Sequence, residues 1–374
     1  MRKEVVAAAA LVMLSPLVMA QTVATAPAAA PAAAPAYDAV VAKKALAMLA
    51  DELDKNFVFP DVAKRYSAAL RSKLAAGGYD TFTDAAALAR AVTADLQAIS
   101  PDGHLALFPP GGPPAPAAAP EGAQPAPKGG PRTQPMEQAG MIAPGIAYVR
   151  FNGFYGQPRV LEEFAKFLDA NAGAKTLIID ARTHRGGGLR EMDVLFPRIF
   201  AKPQAVMVMD TRASVAEAYG PLPFTSLVRV DAPAELARSE HRVTPLSPPS
   251  PWTKAKIYYL VSGRTGSAAE HLASVLKNTK RGTLIGDYTG GAGHYGGEIP
   301  LPGGYQAFVP FGRSYFPGGD GWEGTGVAPD VQVAPERALI EALTREGVAP
   351  AEAEALSAKY MPAGPMDRRR PRKP

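Results

Sequence analysis

The sequence predicts an α/β protein in which a small N-terminal helical bundle precedes an α/β core. Three observations lead there. Apolar residues recur at three- and four-residue steps between Tyr37 and Ala98, the period of helices packed on a common face. From Met141 onward, short apolar strands alternate with turns and helical stretches, the pattern of a partly parallel sheet. The 374 residues, 47% of them apolar, suffice for one large domain or two ordinary ones.

At the N-terminus, Arg2 and Lys3 form a short positive region and an apolar run extends from Val5 to Met19, interrupted by Ser15 and Pro16. Val18-Met19-Ala20 then precedes Gln21. This order reads as a secretory signal over residues 1–20, which places the mature chain outside the cytoplasm, in a periplasm. The run is short for a spanning helix and contains a proline, so no stable membrane anchor is expected after cleavage. Residues 21–36, almost all Ala, Pro, Thr and Val, read as a disordered spacer.

Residues 37–108 form the helical module. Val40, Val41, Leu46, Leu49 and Leu53 mark a first helix. Tyr66, Leu70 and Leu74 mark a second, ended by Gly77-Gly78. Thr83-Asp84 opens a third carrying Leu88, Ala91, Val92 and Leu96. The module ends in Asp102-Gly103-His104. Residues 109–140, rich in Pro, Gly and Ala, read as a linker or long loop. The core spans 141–345, with strands at 146–151, 176–180, 257–261 and 283–286, helices at 160–170 and 267–277, late strands at 305–311 and 331–333, and a helix at 336–345. Residues 202–252 read as less regular and proline-rich near their end, and 346–374 as a loose basic tail.

Composition excludes several functions. The absence of cysteine removes disulfides, thiolate zinc sites and a cysteine nucleophile. The formal charge of +5 is no sign of nucleic-acid binding, because Arg368, Arg369, Arg370, Arg372 and Lys373 crowd the last seven residues and no aromatic residue interleaves with them. That tail reads as a solvated end. The scattered histidines contain no H-E-x-x-H, so no metal site and no cofactor are expected.

Four segments carry residues suited to catalysis. Ser267 lies in V-S-G-R-T-G-S-A-A-E, where a buried strand enters, glycines turn and a helix begins. A serine there presents its hydroxyl at the carboxyl end of a strand, beside the free N–H groups of a helix N-terminus. The same residue fits an S-x-x-E capping box with Glu270, so cap and nucleophile are both open on local pattern. Asp180-Ala181-Arg182-Thr183-His184-Arg185-Gly186-Gly187-Gly188 follows another buried strand and offers backbone N–H groups without side chains in the way. His104, after Asp102-Gly103, has the side chain whose ordinary titration range suits a general base. Glu323, in W-E-G-T-G-V-A-P-D, is placed to orient a histidine. Ser274-Val275-Leu276-Lys277 matches S-x-x-K but falls inside a helix and lacks the partner motifs.

In this order, D-G-H, I-A-Y-V-R-F, I-I-D-A-R-T-H-R-G-G-G, T-G-S-A-A-E, L-I-G-D-Y-T-G-G and G-T-G-V-A-P-D resemble the tail-specific, or C-terminal processing, serine peptidase family from roughly Tyr37 to Val333. The resemblance implies a ClpP/crotonase-like core, Ser267 as nucleophile, an oxyanion hole formed by the Gly188 and Ala268 N–H groups, peptide or protein substrates and no cofactor. It departs from the processing-protease branch at Thr289-Gly290-Gly291-Ala292-Gly293, where Ala292 takes the place of the family's lysine base. The chain is similar instead to the branch that includes the tricorn core and the interphotoreceptor retinoid-binding protein. The tricorn-like arrangement, carried over, implies His104 and Glu323 as partners of Ser267. The retinoid-binding members imply the alternative, a non-catalytic binder of apolar ligands.

Overall fold

The computed structural model describes residues 37–112 and 134–368. The expected signal, the spacer, most of the linker and the last six residues lie outside them. The helical module is α1 (Ala39–Asn56), α2 (Pro60–Ala75) and α3 (Ala85–Ile99). Each begins where the sequence supplies a start: the Asp38 carboxylate accepts from the Val40 and Val41 N–H groups, Pro60 occupies the first turn of α2, and Asp84 accepts from Ala87 N–H. After β1 (Ala106–Phe108), strand β2 (Met136–Ala143) begins inside the stretch expected to be linker.

The core continues with β3 (Ile146–Phe151), α4 (Pro158–Ala170), β4 (Thr176–Asp180), α5 (Arg190–Ile199), β5 (Gln204–Arg212), α6 (Ala213–Tyr219), β6 (Leu227–Val230) and β7 (Leu236–Val243). It is completed by β8 (Lys256–Val261), α7 (Ala268–Asn278), β9 (Thr283–Gly286), β10 (His294–Pro300), β11 (Gln306–Tyr315), β12 (Val331–Gln332), α8 (Ala338–Arg345) and α9 (Pro350–Lys359).

Two six-stranded sheets result. The first runs β12-β9-β8-β4-β3-β2, parallel throughout except for β2 against β3. Its central strands are apolar on both faces, as a sheet covered on both sides requires. Leu177 and Ile179 of β4 face a core shared with α4, α5 and α7, whereas Ile178 between them faces α8 and α9. The second sheet is antiparallel, in the order β1-β11-β5-β7-β6, with β10 on β11. The helical module packs on it: Leu49, Leu53, Leu96, Leu107, Ala307 and Val309 share one core.

Two expectations need correction. Residues 202–252 are not irregular but supply β5, β6 and β7. Their charged residues pair across the sheet, Asp210 of β5 with Arg238 of β7 at 2.6 Å and Arg313 of β11 at 3.2 Å, which hides the strand alternation. The described part of the tail is not loose: α9 packs Ala353 and Leu356 beside α8, and Arg182 and Arg264 hold the chain beyond it as far as Asp367. No helix among the described residues is long and apolar enough to cross a membrane.

Candidate active site

Parallel strands β4 and β8 are neighbours, so the loops after them leave the sheet at the same end. Ser267 closes the loop after β8 and stands one residue before α7, at φ 55° and ψ −120°. A non-glycine residue in that region of backbone space carries strain of about 1–3 kcal/mol, held by its surroundings. Those surroundings are visible. Gly266 N–H donates to the His184 carbonyl at 3.0 Å, and Gly186 lies so close that a Cβ on it would stand 2.7 Å from the Ser267 Cβ. Glu270 reaches back from the first turn of α7 to accept Ser267 N–H at 2.9 Å.

Glu270 does more than cap. Its carboxylate is fully buried and also accepts from Thr289 Oγ1 (2.6 Å), Gly291 N–H (2.6 Å) and Ala292 N–H (2.8 Å). It thereby fixes the 289–292 loop against the serine. Burial pushes its pKa up to about 7, and these four donors oppose the shift.

Ser267 lines a cavity of about 200 Å³ with Ala268, Gly187, Gly188, His271 and His294. Met209, Leu222, Phe224 and Phe311 make its apolar walls. A larger cavity of about 370 Å³ on the other side of Trp322 is lined by none of the residues proposed for chemistry. There Lys277 of the S-x-x-K match bonds the Ala328 carbonyl at 2.8 Å and Asp330 at 3.1 Å.

The histidine in the Ser267 cavity that is backed by a carboxylate is His294. Its Nδ1 lies 2.6 Å from Asp102 Oδ2, and the Phe59 ring holds it edge-on at 5.4 Å between centroids. Asp102 is buried and its other oxygen accepts from His104 N–H (2.7 Å) and Leu105 N–H (2.9 Å). Burial pushes the Asp102 carboxyl up, but His294 and those N–H groups outweigh it and hold the pKa below the usual range. Glu323 joins the same segments. It accepts from Gly103 N–H on one oxygen, and from Gly293 N–H (2.6 Å) and His294 N–H (3.0 Å) on the other. Burial and the Asp102 charge raise its pKa.

His104 is not among the residues lining this cavity; its ring stacks on Phe308 at 5.3 Å. The D-G-H motif reaches the site through Asp102, because the Asx turn that Asp102 makes with the His104 and Leu105 N–H groups carries His104 to the β11 side. Gly188 also departs from expectation. It lines the cavity, but its N–H donates to the Phe154 carbonyl at 2.6 Å. Among the described residues, the N–H groups of Ala268, the first residue of α7, and of Gly187 have no partner here. A Cβ at Gly187 would collide with the Phe154 carbonyl oxygen.

His184 braces the glycine turn. Its Nδ1 accepts from Gly186 N–H at 3.0 Å, and full burial pushes its pKa down to about 3, so it stays neutral. The sequence reading missed His294 and Asp102. The signal was the G-G-A-G-H run, which sets His294 two residues after the alanine at the lysine position. Asp102, His294 and Glu323 each offer a ligand atom within 4.8 Å of the others. The carboxylates are already engaged by backbone N–H groups and, at Asp102, by the His294 ring, which suits an orienting role for them better than ion capture.

Comparison with known proteins gives a consistent picture. Residues 145–333 match peptidase family S41, and residues 40–143 match the N-terminal domain of S41 peptidases found in eukaryotic IRBP. The chloroplastic C-terminal processing peptidase of Tetradesmus obliquus is 27% identical over 203 residues, which are 53% of this chain and 38% of that protein. The match thus spans well under half of that relative. The photosystem II D1 C-terminal processing protease is 17% identical and superposes with a TM-score of 0.52, covering 83% of this chain and 98% of its own, which shows a shared fold. A lipoprotein from Streptococcus agalactiae is 12% identical, with a TM-score of 0.49 over 84% of this chain and 98% of its own.

Proposed function

The chain belongs to peptidase family S41, and from that premise we propose that it hydrolyses peptide bonds with Ser267 as nucleophile, His294 as general base and Asp102 as the carboxylate behind it. The observation that carries the reading is the 2.6 Å contact between His294 Nδ1 and Asp102 in the cavity that Ser267 lines. Bonded there, the imidazole donates from Nδ1 and leaves Nε2 free to take a proton. His294 removes the Ser267 hydroxyl proton as the oxygen attacks the scissile carbonyl. The developing oxyanion is met by Ala268 N–H and Gly187 N–H, the unpaired donors at the turn. His294 then gives its proton to the leaving amine, and water, activated the same way, releases the acid and restores the serine. Glu323 keeps Asp102 and His294 in register through the backbone of both segments.

This replaces His104 as base and Gly188 as oxyanion donor. The order of residues 1–20 supports export, which N-terminal sequencing of secreted material checks. A second reading, a non-catalytic binder of apolar molecules, draws on the apolar cavity walls and on the N-terminal match to IRBP.

One experiment separates these readings. Wild type should be labelled by a fluorophosphonate and cleave peptides, and Ser267→Ala should do neither while remaining folded. His294→Ala should lose on the order of a thousandfold in kcat, as other triad bases do, and His104→Ala should stay within a few-fold of wild type. A fully active His294→Ala would overturn the assignment of the base. An unlabelled wild type that takes up apolar ligands would favour the binder.

A further inference from the structure

The basic tail looks like a solvated end in the sequence, and the structure gives part of it a place. Beyond α9 the chain crosses the first sheet at the ends of β4 and β8. The Tyr360 carbonyl accepts from Arg150 (3.2 Å), Met361 Sδ lies 3.9 Å from Arg182, and the Asp367 carbonyl accepts from Arg264 Nε at 2.6 Å. A Cβ on Gly263 would collide with the Arg368 backbone, so that glycine makes room for the crossing. The Arg368 guanidinium then meets four carbonyls: Thr289 at 2.6 Å and Gly290 at 2.9 Å on one loop, Gly324 at 3.4 Å and Thr325 at 3.5 Å on the other.

These two loops are the ones that assemble the site. The first continues into Gly291 and Ala292, which bond Glu270 behind Ser267, and then into Gly293 and His294. The second follows Glu323, which bonds Gly293, His294 and Gly103. Gly291 and Gly326, both at positive φ, pack so closely that a Cβ on either would meet the guanidinium nitrogens at 2.8 and 3.1 Å. A planar fork of donors suits several carbonyls at once, and a lysine ammonium does not.

We propose that residues 360–368 form a strap and that Arg368 is a positioning residue, clamping the 289–293 and 323–326 loops so that His294 and Glu270 stay registered on Ser267. The idea rests on the catalytic assignment above for its kinetic consequence, but its structural consequence does not.

The test uses the full chain with Arg368→Ala and Arg368→Lys. Amide hydrogen exchange needs no substrate. It should show protection lost in 289–294 and 323–326 of Arg368→Ala, while α4 and β3 keep theirs. Unchanged exchange in both loops would overturn the clamp whatever the activity. In kinetics per labelled active site, kcat should fall by about tenfold to a hundredfold, the scale of a small misplacement of catalytic groups, with KM within about twofold. Ethylguanidinium should restore much of the loss in Arg368→Ala, and ethylammonium should not. Arg368→Lys should resemble the alanine variant. Wild-type kcat per labelled site in Arg368→Ala would overturn the positioning role. Failure of the wild type itself to label would strike the catalytic assignment and leave the exchange result to decide the clamp.

Discussion

At the scale of single residues, the site is built on carboxylates that serve backbone rather than substrate. Glu270 is the sharpest case, with four donors on one buried group. All four are satisfied only by the carboxylate; protonation takes up one acceptor position and Gln puts an NH₂ against N–H donors. Activity should therefore rise with pH through about 7, where Glu270 ionises. Stability should run the other way. A pKa raised from 4.5 to about 7 favours the folded state most below 4.5, and that contribution disappears as pH rises through 7. Glu270→Gln should flatten the difference in thermal midpoint between pH 4.5 and 7.5 and lower kcat. Midpoints of both proteins across that range check it, and parallel curves would exclude the role. The turns that carry Ser267 and Glu323 were legible in the sequence because each is a short motif whose chemistry is local. His294 was not, because it becomes significant only when Asp102, 192 residues away in sequence, meets its Nδ1. His104, two residues after that aspartate, took the part of His294 in the reading.

At the scale of elements, the strands at the centre of the parallel sheet were readable, and of the antiparallel sheet only β11 was. Strands β3, β4 and β8 are nearly continuous apolar runs, because helices cover both of their faces. Strand β7 mixes Arg238, Glu240 and Arg242 with buried Ala237 and His241, and its charges make sense only beside β5. Helix α9 was missed for a similar reason: its inner stripe is small, Ala353 and Ser357, rather than a row of large apolar residues. Asp210 ties the antiparallel sheet together, accepting from Arg238, Arg313 and Tyr315 with its own side chain fully buried. Burial pushes its pKa up, but these partners outweigh it and hold it below the usual value. The stabilisation is therefore present above about pH 4 and lost as pH falls through the lowered pKa. Asp210→Asn should cost on the order of 3 kcal/mol at neutral pH, as removal of one partner of a buried pair does, and less in acid. Urea unfolding at pH 7 and pH 3 measures both, and an equal loss at the two values would speak against it.

At the scale of the whole molecule, the site belongs to neither half of the chain alone. The helical module contributes Asp102 and the Phe59 ring that packs on His294, and the core contributes Ser267, His294 and Glu323. The module is bound to the second sheet through Leu53, Leu96, Leu107, Ala307 and Val309, all buried in one cluster. Cutting at a protease site inserted between residues 112 and 134 should leave the two pieces joined and still labelled at Ser267. Gel filtration of the cut protein checks this, and pieces that separate would mean the linker itself holds the halves together. The position of Trp322 has an optical consequence. The chain has two tryptophans, and Trp252 is buried far from solvent with its indole N–H on the Leu168 carbonyl at 2.7 Å. Trp322 forms a wall of the Ser267 cavity, its ring 6.5 Å from that of His271. Changes in ultraviolet emission on adding a peptide would thus come from the wall of the site, and a Trp252→Phe variant would turn the cavity into its own single-fluorophore sensor of occupancy.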